Sequence, residues 1–139
     1  MNNQSIPNGT FVPALSYPQD VGTVVAWLVG AFGVTERFRA GFNHTQVAFG
    51  DGGGLISGER EGLSVGNAMY MTIHVEDVDA IYQRARAFGA EIVSEPSEFM
   101  YGERQFSARD LGGHLWHFSQ SVRDVDPTSW GAVMAAEME

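Results

Sequence analysis

The sequence predicts an α+β fold in which two copies of a βαβββ module curl around a single cleft. Three landmarks indicate the duplication, because they recur in the same order at nearly constant spacing. They are an aspartate that opens an apolar helical pattern, a phenylalanine that closes it, and an aspartate in a glycine-rich turn. The pairs are Asp20 and Asp77, Phe32 and Phe88, and Asp51 and Asp110, which lie 57, 56 and 59 residues apart. Two copies are too few for a solenoid, so one closed domain is expected.

The first module is predicted to span about residues 10–58. Residues 10–17 have the composition of a strand, and Pro13 indicates an edge position or an irregular start. Asp20 is a candidate N-cap for a helix with 3.6-residue apolar spacing, and Gly33 suits its end. A hairpin is predicted from residues 34–40 and 43–49, followed after a glycine-rich turn by a short strand at 55–57.

The second module, about residues 67–120, repeats this order after a charged, glycine-containing linker at 59–66. A strand is predicted at 68–75, a helix at 78–88 with Asp77 as its cap, and strands at 91–94, 105–109 and 115–119. Beyond the repeat, Asp126 and Pro127 are predicted to begin an amphipathic helix in an extension of residues 121–139. This helix is expected to dock on the domain or on a partner subunit through Trp130, Val133, Met134 and Met138.

Composition excludes several classes of function. At 139 residues the chain fits one domain with a buried core. Its net charge of −9 argues against nucleic acid or an anionic membrane as a partner, since both favour clustered positive charge. All eight basic residues are arginine and there is no cysteine, which excludes lysine Schiff-base chemistry, disulfides and thiolate ligands. The first residues lack the pattern of a signal peptide, so a cytoplasmic location is expected.

Four stretches of the second module carry a family resemblance. They read His-Val-Glu-Asp-Val-Asp-Ala at 74–80, Arg-Ala-Phe-Gly-Ala-Glu-Ile at 86–92, Tyr-Gly-Glu-Arg-Gln-Phe at 101–106 and Asp-Leu-Gly-Gly-His-Leu-Trp at 110–116. With these motifs the chain resembles the vicinal oxygen chelate superfamily, which includes glyoxalase I, bleomycin-resistance proteins and extradiol dioxygenases. Leu111 stands where that family usually has proline. The resemblance implies two βαβββ modules whose strands form a U-shaped cleft, often in a homodimer.

The resemblance also indicates where a metal would bind. Enzymes of this superfamily hold a divalent ion with His, Glu or Gln side chains on the first and last strand of each module. The corresponding positions here are Pro13, residues 56–58, Tyr70 and His117, and among these only His117 is a good ligand. Catalytic ions usually have three or four protein ligands, and adding His74 gives only two histidines and a phenol. No cofactor is therefore expected, and a divalent ion at His117 is the disfavoured alternative.

Strand alternation predicts the residues that line the cleft. Trp116 and Phe118 are expected in the core, which turns His117 towards the cleft. The same alternation turns Gln105 towards the cleft, and the repeat maps Gln105 onto Gln46. Aromatic rings combined with hydrogen-bonding groups suit a small organic ligand. The candidate ligand-binding residues are Tyr17, Gln46, Tyr70, Thr72, His74, Gln105, Ser107, Arg109 and His117.

Two charged positions near the cleft have alternative interpretations. Arg109 either contacts an anionic ligand or forms a surface pair with Asp110 or Glu91. Glu103 and Arg104 are expected to form local salt bridges that shape the loop over the mouth of the cleft.

Two functions remain open at this point. The first is a metal-free protein that binds or sequesters an aromatic or antibiotic-like compound, as resistance proteins of this superfamily do. The second is a lyase, isomerase or dioxygenase that uses a residual ion or acid–base groups such as His117, His74 and Tyr70. A purely structural role is an equal alternative for each of these two histidines. The missing metal positions favour the binding protein.

Overall fold

The computed structural model describes residues 13–41, 43–50, 52–59, 69–134 and 136. Within these residues the elements follow the order expected for two βαβββ modules, which confirms the predicted α+β fold. The first module contains β1 (Ala14–Ser16), α1 (Val21–Phe32), β2 (Thr35–Arg39), β3 (His44–Phe49) and β4 (Gly52–Ser57). The second contains β5 (Tyr70–His74), α2 (Val78–Ala87), β6 (Glu91–Glu98), β7 (Glu103–Arg109) and β8 (Leu115–Ser121), and a 3₁₀ helix (Pro127–Trp130) follows it.

Each module forms one four-stranded sheet, and the two sheets have the same topology. The first has the strand order β1-β4-β3-β2 and the second has β5-β8-β7-β6. In both sheets the first strand of the module lies parallel to the last, while the other neighbours are antiparallel. β1 is an edge strand, as Pro13 predicts. The shared pairing pattern confirms that the sequence repeat reflects a structural repeat.

Both α-helices begin where the sequence predicts; α1 also ends there, and α2 ends at Ala87, one residue before its predicted end. The Asp20 carboxylate accepts a hydrogen bond from the Thr23 backbone N–H at 3.1 Å, and the Asp77 carboxylate accepts one from the Ala80 N–H at 3.1 Å. Gly33 ends α1 in the left-handed conformation, with φ at 74°. None of the helices in the described part of the chain is long and apolar enough to cross a membrane.

A single hydrophobic core joins the two modules. The Phe32 ring of α1 lies 5.0 Å from both the Trp116 and the Phe118 ring of β8, measured between centroids. Phe118 also stacks on Phe106 of β7 at 5.0 Å. These rings are at most 3% exposed, so the predicted core assignment of Trp116 and Phe118 is confirmed. The opposite face of the second sheet does not contribute to this core and is therefore available to bind a ligand.

A buried carboxylate connects the modules at one end of this core. Asp110, which is 6% exposed, accepts hydrogen bonds from the Tyr17 hydroxyl at 2.5 Å and the Trp116 indole N–H at 2.9 Å. Burial and the neighbouring Asp110 carboxylate raise the pKa of Tyr17 far above its usual range, so the phenol stays protonated. The prediction that Tyr17 lines the cleft is wrong, because this hydrogen bond holds its ring in the core with no solvent exposure.

Four strands are longer than their sequence patterns predict: β7 and β8 by two residues each, β4 by three and β6 by four. β4 begins at Gly52, so the glycines assigned to a turn belong to a strand that pairs with β3. β6 continues past Ser94 to Glu98 and includes Pro96. The register with β7 shifts around this proline, and β6 is an edge strand, which is where a sheet tolerates a residue without an N–H donor.

Some predicted positions lie outside the described residues. They are residues 60–66 of the predicted linker, residues 10–12 of the first predicted strand, and Asp51.

The predicted C-terminal amphipathic helix is wrong beyond its first turn. Asp126 caps the turn as expected, because its carboxylate accepts from the Thr128 N–H at 3.0 Å. Gly131 then takes a positive φ of 101° and its N–H bonds back to the preceding turn, which ends the helix after Trp130. Val133 and Met134 lie in irregular, exposed backbone, and Met138 lies outside the described residues.

Candidate functional site

A cavity of about 890 Å³ lies over the face of the second sheet that is turned away from the core. The sheet forms its floor, the β6–β7 turn forms one wall, and the segment after β8 forms the rim. The lining residues are Tyr70, Thr72, Tyr101, Glu103, Gln105, His117, Ser121, Val122, Arg123, Asp124, Val125 and Trp130. This is the volume range of pockets that hold organic ligands.

The floor follows directly from strand alternation and register. Thr72 of β5 and Ser107 of β7 both pair with His117 of β8, which places the three side chains in one row on the same face. A second row contains Gln105 and Ser119. The intervening residues of these strands contribute to the core. The predicted alternation along β7 and β8 is therefore confirmed.

Hydrogen bonds connect the polar groups of the floor. The Tyr101 hydroxyl donates to Gln105 Oε1 at 2.7 Å, and Gln105 Nε2 donates to Ser119 Oγ at 3.0 Å. Ser119 Oγ in turn donates to Glu103 Oε1 at 3.1 Å, and His74 Nε2 lies 3.6 Å from the same oxygen. Each member restricts the rotamer of the next, so the floor is pre-organised to present fixed donors and acceptors.

His117 presents a neutral imidazole to the cavity. Its Nδ1 lies 2.7 Å from Ser107 Oγ, and the Tyr70 ring packs edge-on at 6.0 Å between centroids. Burial lowers the pKa of His117, because desolvation penalises the charged ring. With Nδ1 held by Ser107, the remaining ring nitrogen is available for a ligand.

An aromatic wall borders the floor on the side of the β6–β7 turn. Phe99 and Tyr101 stack with an interplanar angle of 7° at 5.4 Å, and Trp130 meets the Tyr101 ring edge-on at 5.8 Å. The turn also holds the segment after β8, since the N–H groups of Val122 and Arg123 both donate to the Gly102 carbonyl, at 2.8 and 3.3 Å. This segment therefore keeps Trp130 beside the cavity.

The nine predicted site residues divide between this cavity and other places. Tyr70, Thr72, Gln105 and His117 line it. Ser107 and His74 are one contact away, against His117 and Glu103. The other three lie elsewhere. The Arg109 guanidinium donates to the Gly113 carbonyl, and its Nε lies 4.0 Å from the Glu91 carboxylate. Tyr17 and Gln46 belong to the first module.

The prediction that Gln46 lines the same cleft as Gln105 is wrong. The repeat maps it correctly onto the equivalent strand, β3, but the described residues that line the cavity all belong to the second module and the segment after it. Gln46 is 1% exposed and accepts a hydrogen bond from the Arg37 guanidinium. The side-chain amide of Gln46 therefore has a hydrogen-bond partner inside the first module.

Eight of the twelve lining residues were not among the predicted site residues, and Glu103, Tyr101 and Trp130 are the ones that the function proposed below uses. Glu103 has the same strand parity as Gln105, so extending the alternation by one step along β7 would have found it. The expected local salt bridges at Glu103 and Arg104 are not what forms, because Arg104 binds Asp79 of α2, 25 positions away, at 2.9 Å on the other face of the sheet. Tyr101 lies in a turn and Trp130 lies beyond the repeat, and no sequence pattern places either at the cavity.

The residues around His117 do not fit a divalent metal ion. Its neighbours are the Ser107 hydroxyl, the Tyr70 ring and Thr72, and none of these is a carboxylate or a second imidazole. Among the residues with a described placement, no group of three His, Asp or Glu side chains could hold an ion. A catalytic site normally supplies at least three such ligands.

Two further cavities are present among the described residues, and the first of them shares Thr72 with the main cavity and is also lined by His74. One of about 340 Å³ is mainly apolar and lies between the modules, against Met71, Ile73 and Trp116. Another of about 510 Å³ lies on the helix surface beside Trp27 and Phe88. Each of the three cavities is thus lined by a different tryptophan.

Comparisons with solved structures identify the fold. TioX from Micromonospora sp. ML1 has a TM-score of 0.70 and 30% sequence identity, over 85% of this chain and 100% of that one. FosX, a genomically encoded fosfomycin resistance protein from Listeria monocytogenes, has a TM-score of 0.65 over 83% of this chain and 94% of that one. FosX is 18% identical, so its likeness concerns the fold alone.

Sequence comparisons match this chain to curated relatives over part of its length and to a family model over most of it. An uncharacterised protein of Mycobacterium tuberculosis strain H37Rv is 38% identical over 69 residues, which are 48% of this chain and 41% of that protein. The match spans less than half the length of such curated relatives. The family model described as Glyoxalase/Bleomycin resistance protein/Dioxygenase superfamily matches residues 13–118. The chain therefore belongs to the glyoxalase/bleomycin resistance protein/dioxygenase superfamily.

Proposed function

We propose that this chain is a metal-independent binding protein that holds an aromatic, antibiotic-like small molecule in the cavity over the second sheet. The observation that carries the proposal is the composition of that cavity. Its walls offer the Tyr101 and Trp130 rings, and its floor offers neutral hydrogen-bonding groups from Thr72, Gln105 and His117. A planar ligand gains stacking energy from the walls and orientation from the floor.

The donor set supports metal independence. The groups within contact of His117 are a hydroxyl and a phenol ring, and Glu103 is instead bonded to Ser119. Antibiotics are a sensible first class of test ligand, because the fold is shared with a fosfomycin resistance protein.

The protein is first treated with EDTA to remove bound metal. Ligand binding is then expected to raise the melting temperature of this metal-free sample. A thermal-shift panel would include an anthracycline, a fluoroquinolone, an aminocoumarin and bleomycin. A ligand present at a hundred times its Kd stabilises the native state by about 2.7 kcal/mol, which corresponds to a rise on the order of 5 °C or more. Zn²⁺ and Ni²⁺ titrations of the same sample are expected to give no stoichiometric binding.

Matched variants test whether the binding involves this cavity. Trp130→Ala removes a wall and is expected to weaken binding of any hit about tenfold. Val133→Ala shortens an exposed side chain of the same C-terminal segment and is expected to leave binding unchanged. Mass spectrometry of each hit after incubation is expected to recover it intact. Conversion of a compound, or one ion bound per chain, would instead favour an enzyme.

A further inference from the structure

We propose that the cavity selects aromatic compounds that carry a positive charge, and that Glu103 is the residue that recognises this charge. The inference rests on the proposed function and names the chemical class of its ligand.

Glu103 is a carboxylate built into the floor of the cavity. Its side chain is 21% exposed, and the Ser119 hydroxyl donates to its Oε1 at 3.1 Å. The Ser119 hydroxyl is itself fixed by Gln105 at 3.0 Å. The carboxylate is thus positioned by the Ser119 hydroxyl, and this contact leaves its second oxygen open to a ligand.

The nearby arginines are engaged elsewhere. Arg104 follows Glu103 on β7, but its guanidinium crosses to the other face and binds both oxygens of Asp79 at 2.9 Å. Arg123 lines the rim, and its Nη2 donates to the Phe99 carbonyl at 3.4 Å. A second carboxylate, Asp124, lines the rim on the same side of the sheet. Among the described residues, the cavity is lined by two carboxylates, Glu103 and Asp124, and by one guanidinium, Arg123, so carboxylates outnumber guanidinium groups there.

The closest basic side chain competes only weakly. His74 Nε2 lies 3.6 Å from Glu103 Oε1 and also 2.9 Å from Ser121 Oγ, and its side chain is 65% exposed. A histidine this open to water exchanges its carboxylate contact for solvent at low cost. An ammonium group entering the cavity can take the place of this contact.

The aromatic residues favour the same charge. Tyr70, Tyr101 and Trp130 line the cavity with Glu103, and the faces of such rings attract cations. A carboxylate combined with several aromatic rings is the arrangement that recognises alkylammonium groups. A planar cation satisfies both features at once, whereas an anion is repelled by Glu103 and Asp124.

Three probes that share one ring system test the inference by isothermal titration calorimetry at pH 7.5. They are 1-naphthylmethylamine, which is cationic, 1-naphthalenemethanol, which is neutral, and 1-naphthylacetate, which is anionic. The cation is expected to bind about tenfold more tightly than the alcohol, and the anion most weakly. Glu103→Gln keeps a hydrogen-bond acceptor for Ser119 and is expected to bring the amine within about twofold of the alcohol.

Glu98→Gln is the matched control. It removes the same charge from β6. Glu98 is exposed and lies opposite Arg104 in the β6–β7 register, so it belongs to the face of the sheet that Glu103 does not share. This variant is expected to keep the tenfold preference. Two results would overturn the inference and leave the proposed function standing. One is equal binding of all three probes to the parent protein, and the other is a preference for the amine that survives Glu103→Gln. Failure of all three to bind would count against both.

Discussion

Replacing Asp110 with asparagine is expected to lower the free energy of unfolding by about 2–4 kcal/mol. Both carboxylate oxygens act as acceptors. Oδ2 receives the Tyr17 hydroxyl and the Trp116 indole, and Oδ1 receives the backbone N–H groups of Gly112 and His114, each at 3.0 Å. An asparagine amide turns its NH₂ towards one of these pairs in either orientation. The Tyr17 hydroxyl can accept from that NH₂, but the Trp116 N–H or the two backbone N–H groups lose their acceptor inside the protein.

Urea denaturation followed by tryptophan fluorescence measures this loss. Asp124→Asn makes the same chemical change at an exposed position and is expected to stay within about 0.5 kcal/mol of the parent protein. If Asp110→Asn were as mild as this control, the buried carboxylate would not be what connects the modules.

Gly102→Ala is expected to weaken ligand binding at least tenfold and to cost about 2 kcal/mol of stability. Gly102 has φ at +86°, which is unfavourable for alanine. A Cβ atom there would also overlap the Arg123 carbonyl oxygen and touch Val125 at 3.0 Å. Both belong to the segment that forms the rim of the cavity, so the substitution pushes this segment and Trp130 away from the aromatic wall.

Gly30→Ala is the control for this variant. A Cβ at position 30 would also overlap another residue, but that residue is the Phe88 side chain, which is 48% exposed and can turn aside. Gly30 lies inside α1, where alanine is the better helix former, so stability is expected to stay within about 1 kcal/mol. Calorimetry with the naphthalene probes compares the two variants. Normal affinity in Gly102→Ala would show that the rim segment does not shape the site.

The parts of the fold that were predicted depend on short-range rules. Helix caps at Asp20 and Asp77 and the alternation along β8 each involve neighbours within four residues, and a sequence records such patterns directly. The repeat adds the topology, because two copies of one unit fold alike. These rules also place Thr72, Gln105 and His117 on one face.

The parts that were missed depend on contacts between distant residues. Tyr17 has the alternation of a cleft residue, but it is held in the core by Asp110, which is 93 positions away. Trp130 joins the site only because the segment after β8 binds the Gly102 carbonyl. Gln46 has the correct position within its module, but its sheet does not line the cavity. A repeat predicts the shape of each module without predicting which surfaces meet.

The central claim is that a small aromatic molecule binds over the second sheet, and the indole signals of a ¹H–¹⁵N correlation spectrum test it most directly. The chain has three tryptophans, and each lines a different cavity: Trp130 the proposed site, Trp116 the cavity between the modules, and Trp27 the helix surface. On titration with the tightest-binding naphthalene probe, the Trp130 indole signal is expected to shift in proportion to occupancy while the other two stay in place. A spectrum in which Trp116 or Trp27 moves and Trp130 does not would contradict the account.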